Sequence, residues 1–309
     1  MKLIQLCMGL LLLLFLTVAS AASAERVPNN LAHLFDYDSH QPLDIHDKTL
    51  KDFDCGVIHD VTYVSPSGGR VSAYQIVPKG KGPFAAVIFG HWGNGTRGEF
   101  IPEAKTYACA GVMSLLPDYR WERPRPWYSE IDDFAHPDLD RKTRINTVIE
   151  IRRATDLLMS RADVDPNRVA YVGHSFGAQW GAILTAVDRR LKAAVLMAGV
   201  AEEADLLLRS DNPRIVDLRA SLPKGQLDIY VNTLADVNAI NYVRYAQPTP
   251  LLLQFANFEQ YFDRASTDRY AAAATEPKTV LYYDSAHDLN DPQAFKDRLD
   301  WLAKRLAFR

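Results

Sequence analysis

Residues 168–181 read RVAYVGHSFGAQWG, and this stretch decides the fold. Its first five residues form a short β-prone run, and the residues from Ala178 onward are compatible with a helix. Between them stands the motif Gly173-His174-Ser175-Phe176-Gly177. A side chain at either glycine would collide with the neighbouring strand or helix, so the glycines permit a strained turn that leaves the serine hydroxyl free. The pattern predicts that Ser175 is a nucleophile at a strand-to-helix turn.

The bare pentapeptide also arises by chance in loops, so the flanking strand and helix are what favour a nucleophile. The helix behind Ser175 directs free backbone N–H groups toward the place where negative charge develops during acyl transfer. The stretch resembles the nucleophile elbow of the α/β-hydrolase superfamily. The resemblance implies an α/β fold with a mostly parallel eight-stranded sheet, helices on both faces and a small cap insertion.

The rest of the chain alternates predicted strands with predicted helices, which is typical of a parallel sheet wound on both sides. The predicted strands are residues 57–64 and 70–77, which form a hairpin, and residues 84–89, 112–116, 168–172, 191–197, 250–255 and 279–283. Predicted helices cover residues 99–110 and 144–159, and a last helix begins at Asp291-Pro292. We expect a single domain over residues 25–309, in which residues 198–248 form the small cap.

The superfamily order of catalytic groups is nucleophile, acid and then histidine. Of eight histidines in the chain, only His287 lies beyond Ser175, and it follows the last predicted strand. The resemblance therefore implies that His287 is the general base. A histidine in a loop is more often simply solvated, and its place at the end of a strand is what favours catalysis here.

The acid is expected just after the strand at residues 250–255, and by the resemblance it is Glu259. Asp263 lies four residues later and Asp236 lies in the preceding insertion, and both remain alternatives. Asp288 is adjacent to His287, which is too close along the chain to orient the ring easily. The prediction is a Ser-His-Glu triad.

The strand at residues 84–89 ends in Gly90-His91-Trp92-Gly93-Asn94-Gly95, whose small residues let backbone N–H groups turn inward. By the resemblance, the N–H groups of Trp92 and Phe176 form the oxyanion hole. Trp92 follows His91 directly, which departs from the commoner His-Gly pattern and leaves open which amide points inward. A plain strand-to-helix loop is the alternative.

The resemblance covers nearly all of the chain after residue 24 and is nearest to the dienelactone-hydrolase-like branch. Dienelactone hydrolases proper use cysteine where Ser175 stands, which favours an ordinary serine esterase. The resemblance implies hydrolysis of small-molecule carboxylic esters through an acyl-enzyme, without a cofactor. The alternatives are a small secreted peptidase of the prolyl-oligopeptidase type, which normally carries a propeller domain absent here, and a non-catalytic binding protein on the same fold.

Residues 1–24 are predicted to be a signal peptide, because an apolar run is followed by the small-residue cleavage pattern Ala22-Ser23-Ala24. An uncleaved anchor is the alternative. The protein is expected to be exported, periplasmic or extracellular, without stable membrane insertion after cleavage. In that compartment Cys55 and Cys109 are either a disulfide or two buried thiols.

The formal net charge is −3, and removal of residues 1–24 would take away Lys2 alone and leave −4. A chain of this charge without a basic stripe is not expected to bind nucleic acid. No C-x-x-C or H-E-x-x-H spacing predicts a metal site, and residues 25–54 are interpreted as an N-terminal wrap. Residues 117–128 interleave arginines with aromatic side chains after a strand, so they are a candidate for a wall facing the substrate, with a solvated loop as the alternative.

Overall fold

The computed structural model describes residues 25–308, and a mixed sheet of nine strands lies at its centre. The strands are β1 (His46–Phe53), β2 (Gly56–Val64), β3 (Arg70–Pro78), β4 (Phe84–Gly90), β5 (Val112–Pro117), β6 (Val164–His174), β7 (Ala193–Met197), β8 (Leu251–Ala256) and β9 (Lys278–Tyr283). Their order across the sheet is β1-β2-β3-β5-β4-β6-β7-β8-β9. The six strands β4 to β9 pair in parallel with one another, and β1, β2 and β3 pair antiparallel at one side.

The expectation of eight strands is wrong by one, because the structure adds β1 at the sheet edge. β1 lies in the segment that was interpreted as an N-terminal wrap. Seven of its eight residues are exposed and the eighth is half-buried. A strand with no buried face lacks the alternation of apolar and polar residues that identifies a strand in a sequence.

Ten α-helices surround the sheet in the described part of the chain. They are α1 (Asn29–Ala32), α2 (Ile101–Cys109), α3 (Pro137–Met159), α4 (Phe176–Val187), α5 (Glu203–Leu207), α6 (Pro213–Ser221), α7 (Gln226–Thr233), α8 (Ile240–Val243), α9 (Arg264–Ala273) and α10 (Pro292–Leu306). Three short 3-10 helices cover His33–Phe35, Arg120–Glu122 and Ala235–Val237. None of the helices within residues 25–308 is long and apolar enough for a membrane crossing.

Two apolar clusters cover the two faces of the sheet. One contains side chains of α3, α4, α8 and α9, and the other contains side chains of α2 and α10. The prediction of helices on both faces is confirmed. The parallel strands β4, β5 and β7 are buried along their whole length, as strands covered on both faces must be.

Several boundaries differ from the predicted ones. α3 begins at Pro137, seven residues before the predicted start, with Asp138 and Asp140 in its first turn. Proline and acidic residues suit a helix start, but they carry no apolar periodicity. The start of α10 is as predicted, because the Asp291 side chain accepts a hydrogen bond from the Ala294 N–H at 2.8 Å.

Cys55 and Cys109 form a disulfide with their Cα atoms 4.8 Å apart. It joins the turn before β2 to the last residue of α2. The alternative of two buried thiols is therefore wrong. Between β7 and β8 the chain forms α5, α6, α7 and α8, which occupy the segment predicted as a cap. The predicted signal peptide lies outside the described residues.

Candidate active site

Ser175 stands between β6 and α4 with φ 55° and ψ −112°, a backbone conformation that residues other than glycine rarely adopt. A Cβ added at Gly173 would overlap the carbonyl of Gly177, and one added at Gly177 would overlap the carbonyl of Gly90. The predicted need for two glycines is therefore confirmed, and it comes from the close approach of β4, β6 and α4.

The structure brings together the three residues of the predicted triad. His287 Nε2 lies 2.9 Å from Ser175 Oγ, and His287 Nδ1 lies 2.7 Å from Glu259 Oε2. The His287 and Glu259 side chains are each 7% exposed. With a carboxylate on Nδ1, that nitrogen carries the proton, and Nε2 is left to accept the serine hydroxyl. The arrangement is able to deprotonate Ser175.

The loops after β8 and β9 hold the acid and the histidine in this geometry. The Asn257 N–H donates to the Tyr283 carbonyl at 2.8 Å, and the Phe258 N–H donates to the Ser285 carbonyl at 3.1 Å. Glu259 Oε1 accepts from the Tyr261 N–H at 2.9 Å. Parallel neighbouring strands end at the same edge, so residues far apart in sequence meet there.

The two alternative acids occupy other roles. Asp263 is the N-cap of α9, where its side chain accepts from the Ser266 N–H at 2.8 Å. Asp236 forms an ion pair with Arg141, whose Nε lies 2.8 Å from Asp236 Oδ1. Neither carboxylate is hydrogen-bonded to His287.

The two amides predicted for the oxyanion hole differ in their availability. The Phe176 N–H is at the start of α4 and has no hydrogen-bond acceptor among the described residues. The Trp92 N–H instead donates to Glu99 Oε2 at 2.9 Å. The next amide, that of Gly93, donates no hydrogen bond within residues 25–308. Among the described residues, Phe176, Gly93 and Asn94 therefore each have an unpaired N–H, and all three line the cavity that contains Ser175.

Sequence reasoning missed the side-chain network behind the elbow. Glu99 Oε1 lies 2.7 Å from His174 Nδ1, and His174 Nε2 lies 2.9 Å from the His287 carbonyl oxygen. Since Glu99 also holds the Trp92 N–H, one carboxylate links the loop after β4 to the elbow and to the loop that carries His287. His174 stands inside the motif, but nothing in the sequence pairs it with a residue 75 positions earlier.

His91 is buried beside this network and is neutral. Its Nδ1 lies 2.7 Å from the Trp92 carbonyl oxygen, and its ring packs against Tyr119 with the ring centroids 3.8 Å apart and the planes tilted by 31°. Burial lowers the pKa of His91 to about 4, because the protonated ring would be desolvated. His91 therefore serves to shape the loop that carries Trp92 and Gly93.

Two cavities meet at this site, and Trp92, Tyr261 and His287 line both of them. The smaller cavity, of about 180 Å³, contains Ser175. The larger one, of about 810 Å³, lies toward α2 and α10. The smaller cavity is here called the serine pocket and is lined by Trp92, Gly93, Asn94, Ile131, Asp132, Ser175, Phe176, Gln179, Ala198, Val200, Leu206, Ile215, Tyr261, Phe262 and His287.

The expectation that residues 117–128 form a wall facing the substrate is wrong, because none of them lines either cavity. Arg120 and Arg123 are instead buried in ion pairs with Glu150 of α3. Trp121 supports the site from behind, since its Nε1 donates to the Gly93 carbonyl at 2.9 Å. Arg120 and Arg123 thus hold this segment against α3.

No protein-family model matches the chain. Two uncharacterised proteins of Mycobacterium tuberculosis, from strains CDC 1551 and H37Rv, are each 25% identical over 248 residues, which cover 78% of this chain and 75% of theirs.

Among solved structures, an acetyl xylan esterase from Paenibacillus sp. R4 superposes with a TM-score of 0.75 and 20% identity, covering 90% of this chain and 92% of its own. Acetyl xylan esterase 1 from Thermoanaerobacterium sp. JW/SL YS485 superposes with a TM-score of 0.73 and 15% identity, and the match covers 91% of this chain and 95% of that one. The α/β hydrolase GrgF from Penicillium sp. sh18 superposes with a TM-score of 0.62 and 19% identity, and the match covers 81% of this chain and 99% of that one. The predicted α/β-hydrolase fold is confirmed.

Proposed function

We propose that this chain, which has the α/β-hydrolase fold, is a serine hydrolase that cleaves carboxylic esters with short acyl groups. The observation that carries the proposal is the hydrogen-bonded chain from Ser175 Oγ through the His287 ring to Glu259, with distances of 2.9 and 2.7 Å. The likeness to esterase structures supports ester hydrolysis as the general reaction.

In the first step, Ser175 Oγ bonds to the ester carbonyl carbon while its proton passes to His287 Nε2. Glu259 keeps the proton on Nδ1 and stabilises the imidazolium that forms. The carbonyl oxygen becomes negatively charged and accepts hydrogen bonds from the Phe176 and Gly93 N–H groups. The Trp92 N–H could donate to this oxygen only after its hydrogen bond to Glu99 is broken.

The tetrahedral intermediate then collapses, the bond between carbon and the leaving oxygen breaks, and His287 gives its proton to the departing alcohol. A water molecule then hydrolyses the acyl-enzyme by the same two kinds of step, addition and collapse. It bonds to the acyl carbon as His287 takes its proton, and the carboxylic acid leaves as Ser175 Oγ regains a proton. No step requires a cofactor.

The size of the two cavities supports a short acyl group. The serine pocket, of about 180 Å³, has room for about six water molecules or a few heavy atoms of an acyl chain. The larger cavity shares His287, which protonates the leaving group, so we place the alcohol part of the ester on that side.

We further propose that residues 25–309 are one domain in which residues 198–248 act as a small cap. Val200, Leu206 and Ile215 of this segment line the serine pocket, as a cover over the site would. The disulfide between Cys55 and Cys109 supports export to an oxidising compartment, periplasmic or extracellular.

A fluorophosphonate probe and a substrate panel test the function. The probe is expected to label the wild-type protein and not Ser175→Ala, and kcat for short p-nitrophenyl esters should fall about 10⁴-fold or more in that variant. Ser221→Ala, which changes an exposed serine of α6, is the matched control. Labelling that persists in Ser175→Ala would place the nucleophile elsewhere.

The panel also includes long-chain esters and aminoacyl amides. Faster cleavage of the amides than of the esters would favour the small peptidase. A folded protein that neither binds the probe nor turns over any substrate would favour the non-catalytic binding protein.

A further inference from the structure

The serine pocket is lined by four polar side chains that the triad does not use, those of Asn94, Asp132, Gln179 and Tyr261, and two of them carry the argument here. Gln179 is 5% exposed, and its side-chain amide makes no hydrogen bond to the described residues. Asp132 has one carboxylate oxygen, Oδ2, without a hydrogen-bond partner within residues 25–308. A plain alkyl acyl group filling this pocket would leave the buried Gln179 amide unpaired and would displace water from Asp132 on the pocket side, and both effects are unfavourable.

Gln179 is placed to contact the acyl group of a bound ester. It lies in α4, the helix that begins directly after Ser175, and both residues line the serine pocket. Much of the pocket wall is apolar, formed by residues such as Val200, Leu206 and Phe262. A buried amide among apolar neighbours needs a polar partner, which a substrate can supply.

Asp132 is held in place by its other oxygen. Oδ1 accepts from Arg144 Nη2 at 2.9 Å and from the Tyr230 hydroxyl at 3.4 Å. Its backbone has φ 58°, in the left-handed region. The side chain keeps 44% of its surface exposed, and it lines the serine pocket. The anchored oxygen and the constrained backbone keep the carboxylate in the pocket wall.

The charges around Asp132 favour a cation in the pocket. The Arg144 guanidinium is the cation of this cluster, and it faces three carboxyl groups, those of Asp132, Asp140 and Glu203. Asp140 and Glu203 are buried, so Asp132 is the member that a ligand can reach. Partial burial and the neighbouring Glu203 and Asp140 carboxylates outweigh Arg144 and raise the pKa of Asp132 above its usual range. A cation beside Asp132 would offset this surplus of negative charge.

We propose that Asp132 and Gln179 form a subsite for a protonated amino group on the acyl part of the ester. The ammonium donates one hydrogen bond to Asp132 Oδ2 and another to the Gln179 side-chain oxygen. The inference rests on the proposed esterase function, since it assigns the acyl group to the serine pocket. It names short aminoacyl esters as the substrate class.

Three esters with one skeleton test the subsite: the phenyl esters of isobutyric acid, lactic acid and alanine, which carry a methyl, a hydroxyl or an ammonium group at C2. The readout is the ratio of kcat/KM for the alanine ester to kcat/KM for the isobutyrate ester. Dividing the wild-type ratio by that of a variant removes the different intrinsic reactivities of the esters.

The ratio is expected to fall about 10- to 100-fold in Asp132→Asn, the size of one charge-assisted hydrogen bond. Asp132→Asn keeps an oxygen for Arg144 and Tyr230, so the fold is preserved. Gln179→Met, which keeps the length of the side chain, should lower the ratio about 3- to 10-fold, as expected for loss of one hydrogen bond. Asp133→Asn is the matched control, because Asp133 pairs with His136 and does not line the serine pocket.

An unchanged ratio in Asp132→Asn, with the isobutyrate ester still hydrolysed, overturns the subsite and leaves the esterase proposal standing. A wild-type protein that hydrolyses none of the three esters and does not react with a fluorophosphonate overturns the proposed function itself. If Asp132→Asn reduces the lactate ester as strongly as the alanine ester, the pocket recognises a neutral donor and the cationic assignment is wrong.

Discussion

His174 Nε2 lies 2.9 Å from the backbone carbonyl oxygen of His287, a residue 113 positions later in the chain. The residue before the nucleophile therefore holds the loop that carries the proposed base. On the other side of the ring, Nδ1 lies 2.7 Å from Glu99 Oε1. Both hydrogen bonds are made when each ring nitrogen carries a proton, with the charge balanced by Glu99. His174 is thus a positioning residue for His287.

His174→Gln is expected to lower kcat for a short ester about 10- to 100-fold with little change in KM, because the position of His287 matters most in the transition state. The measurement is steady-state kinetics together with a melting curve. His136→Gln, a change at an exposed histidine, is the control and should leave kcat unchanged. An equal loss of kcat and melting temperature in both variants would contradict a positioning role for His174.

Glu259→Gln is expected to lower kcat about 10²- to 10⁴-fold with KM nearly unchanged, because the carboxylate stabilises the imidazolium of the transition state. Asp263→Asn should cost less than about tenfold, since asparagine also caps a helix. Kinetics of the two variants decide between them. If they exchange these outcomes, the acid is Asp263, and if neither lowers kcat, Asp236 becomes the residue to replace.

The free energy of unfolding is expected to fall as the pH falls from about 6.5 to about 4, in part because of His91. The pKa of this buried ring is lowered in the folded protein, so its contribution is present above the unfolded value and is lost as the pH falls toward 4. The contribution is about 3 kcal/mol. His91→Phe keeps an aromatic ring against Tyr119 and should lose less stability over this range. Urea unfolding at several pH values measures the difference, and equal pH dependence of both proteins would refute it.

Cys55→Ala/Cys109→Ala is expected to lower the free energy of unfolding by about 2–4 kcal/mol, because the disulfide closes a long loop in the unfolded chain. The two cysteines are 54 residues apart in sequence. Denaturant unfolding with and without a reductant is the measurement. The reductant should shift the wild-type curve toward that of the double variant and leave the variant unmoved. A reductant effect on the variant itself would point to a cause other than this disulfide.

The chain order and the turn pattern were sufficient to predict the residues that the structure brings together around Ser175. Parallel strands end at one edge, so a serine, a carboxylate and a histidine that each follow such a strand must converge. His287 was identifiable because it is the only histidine after Ser175. Because all three residues follow strands that end at the same edge of the sheet, their side chains can meet only beside that edge.

Side-chain partners were beyond the reach of the sequence. Glu99 accepts a hydrogen bond from the Trp92 N–H because the loop after β4 folds back on itself. No local sequence pattern predicts that contact. Asp132 is held in the wall of the serine pocket by Arg144, which lies twelve residues later in α3. The sequence pattern points instead to residues 117–128 as the segment that faces the substrate. Such choices depend on tertiary packing, which periodicity and turn residues do not encode.

β1 has a consequence for the solubility of the protein. An open sheet must end somewhere, and a flat apolar edge invites another chain to add a strand and begin an aggregate. β1 ends this sheet with charged residues, among them Asp47, Lys48 and Lys51, and its register is irregular between Thr49 and Lys51. A chain shortened past Phe53 would expose β2 as the new edge and lose this barrier to self-association.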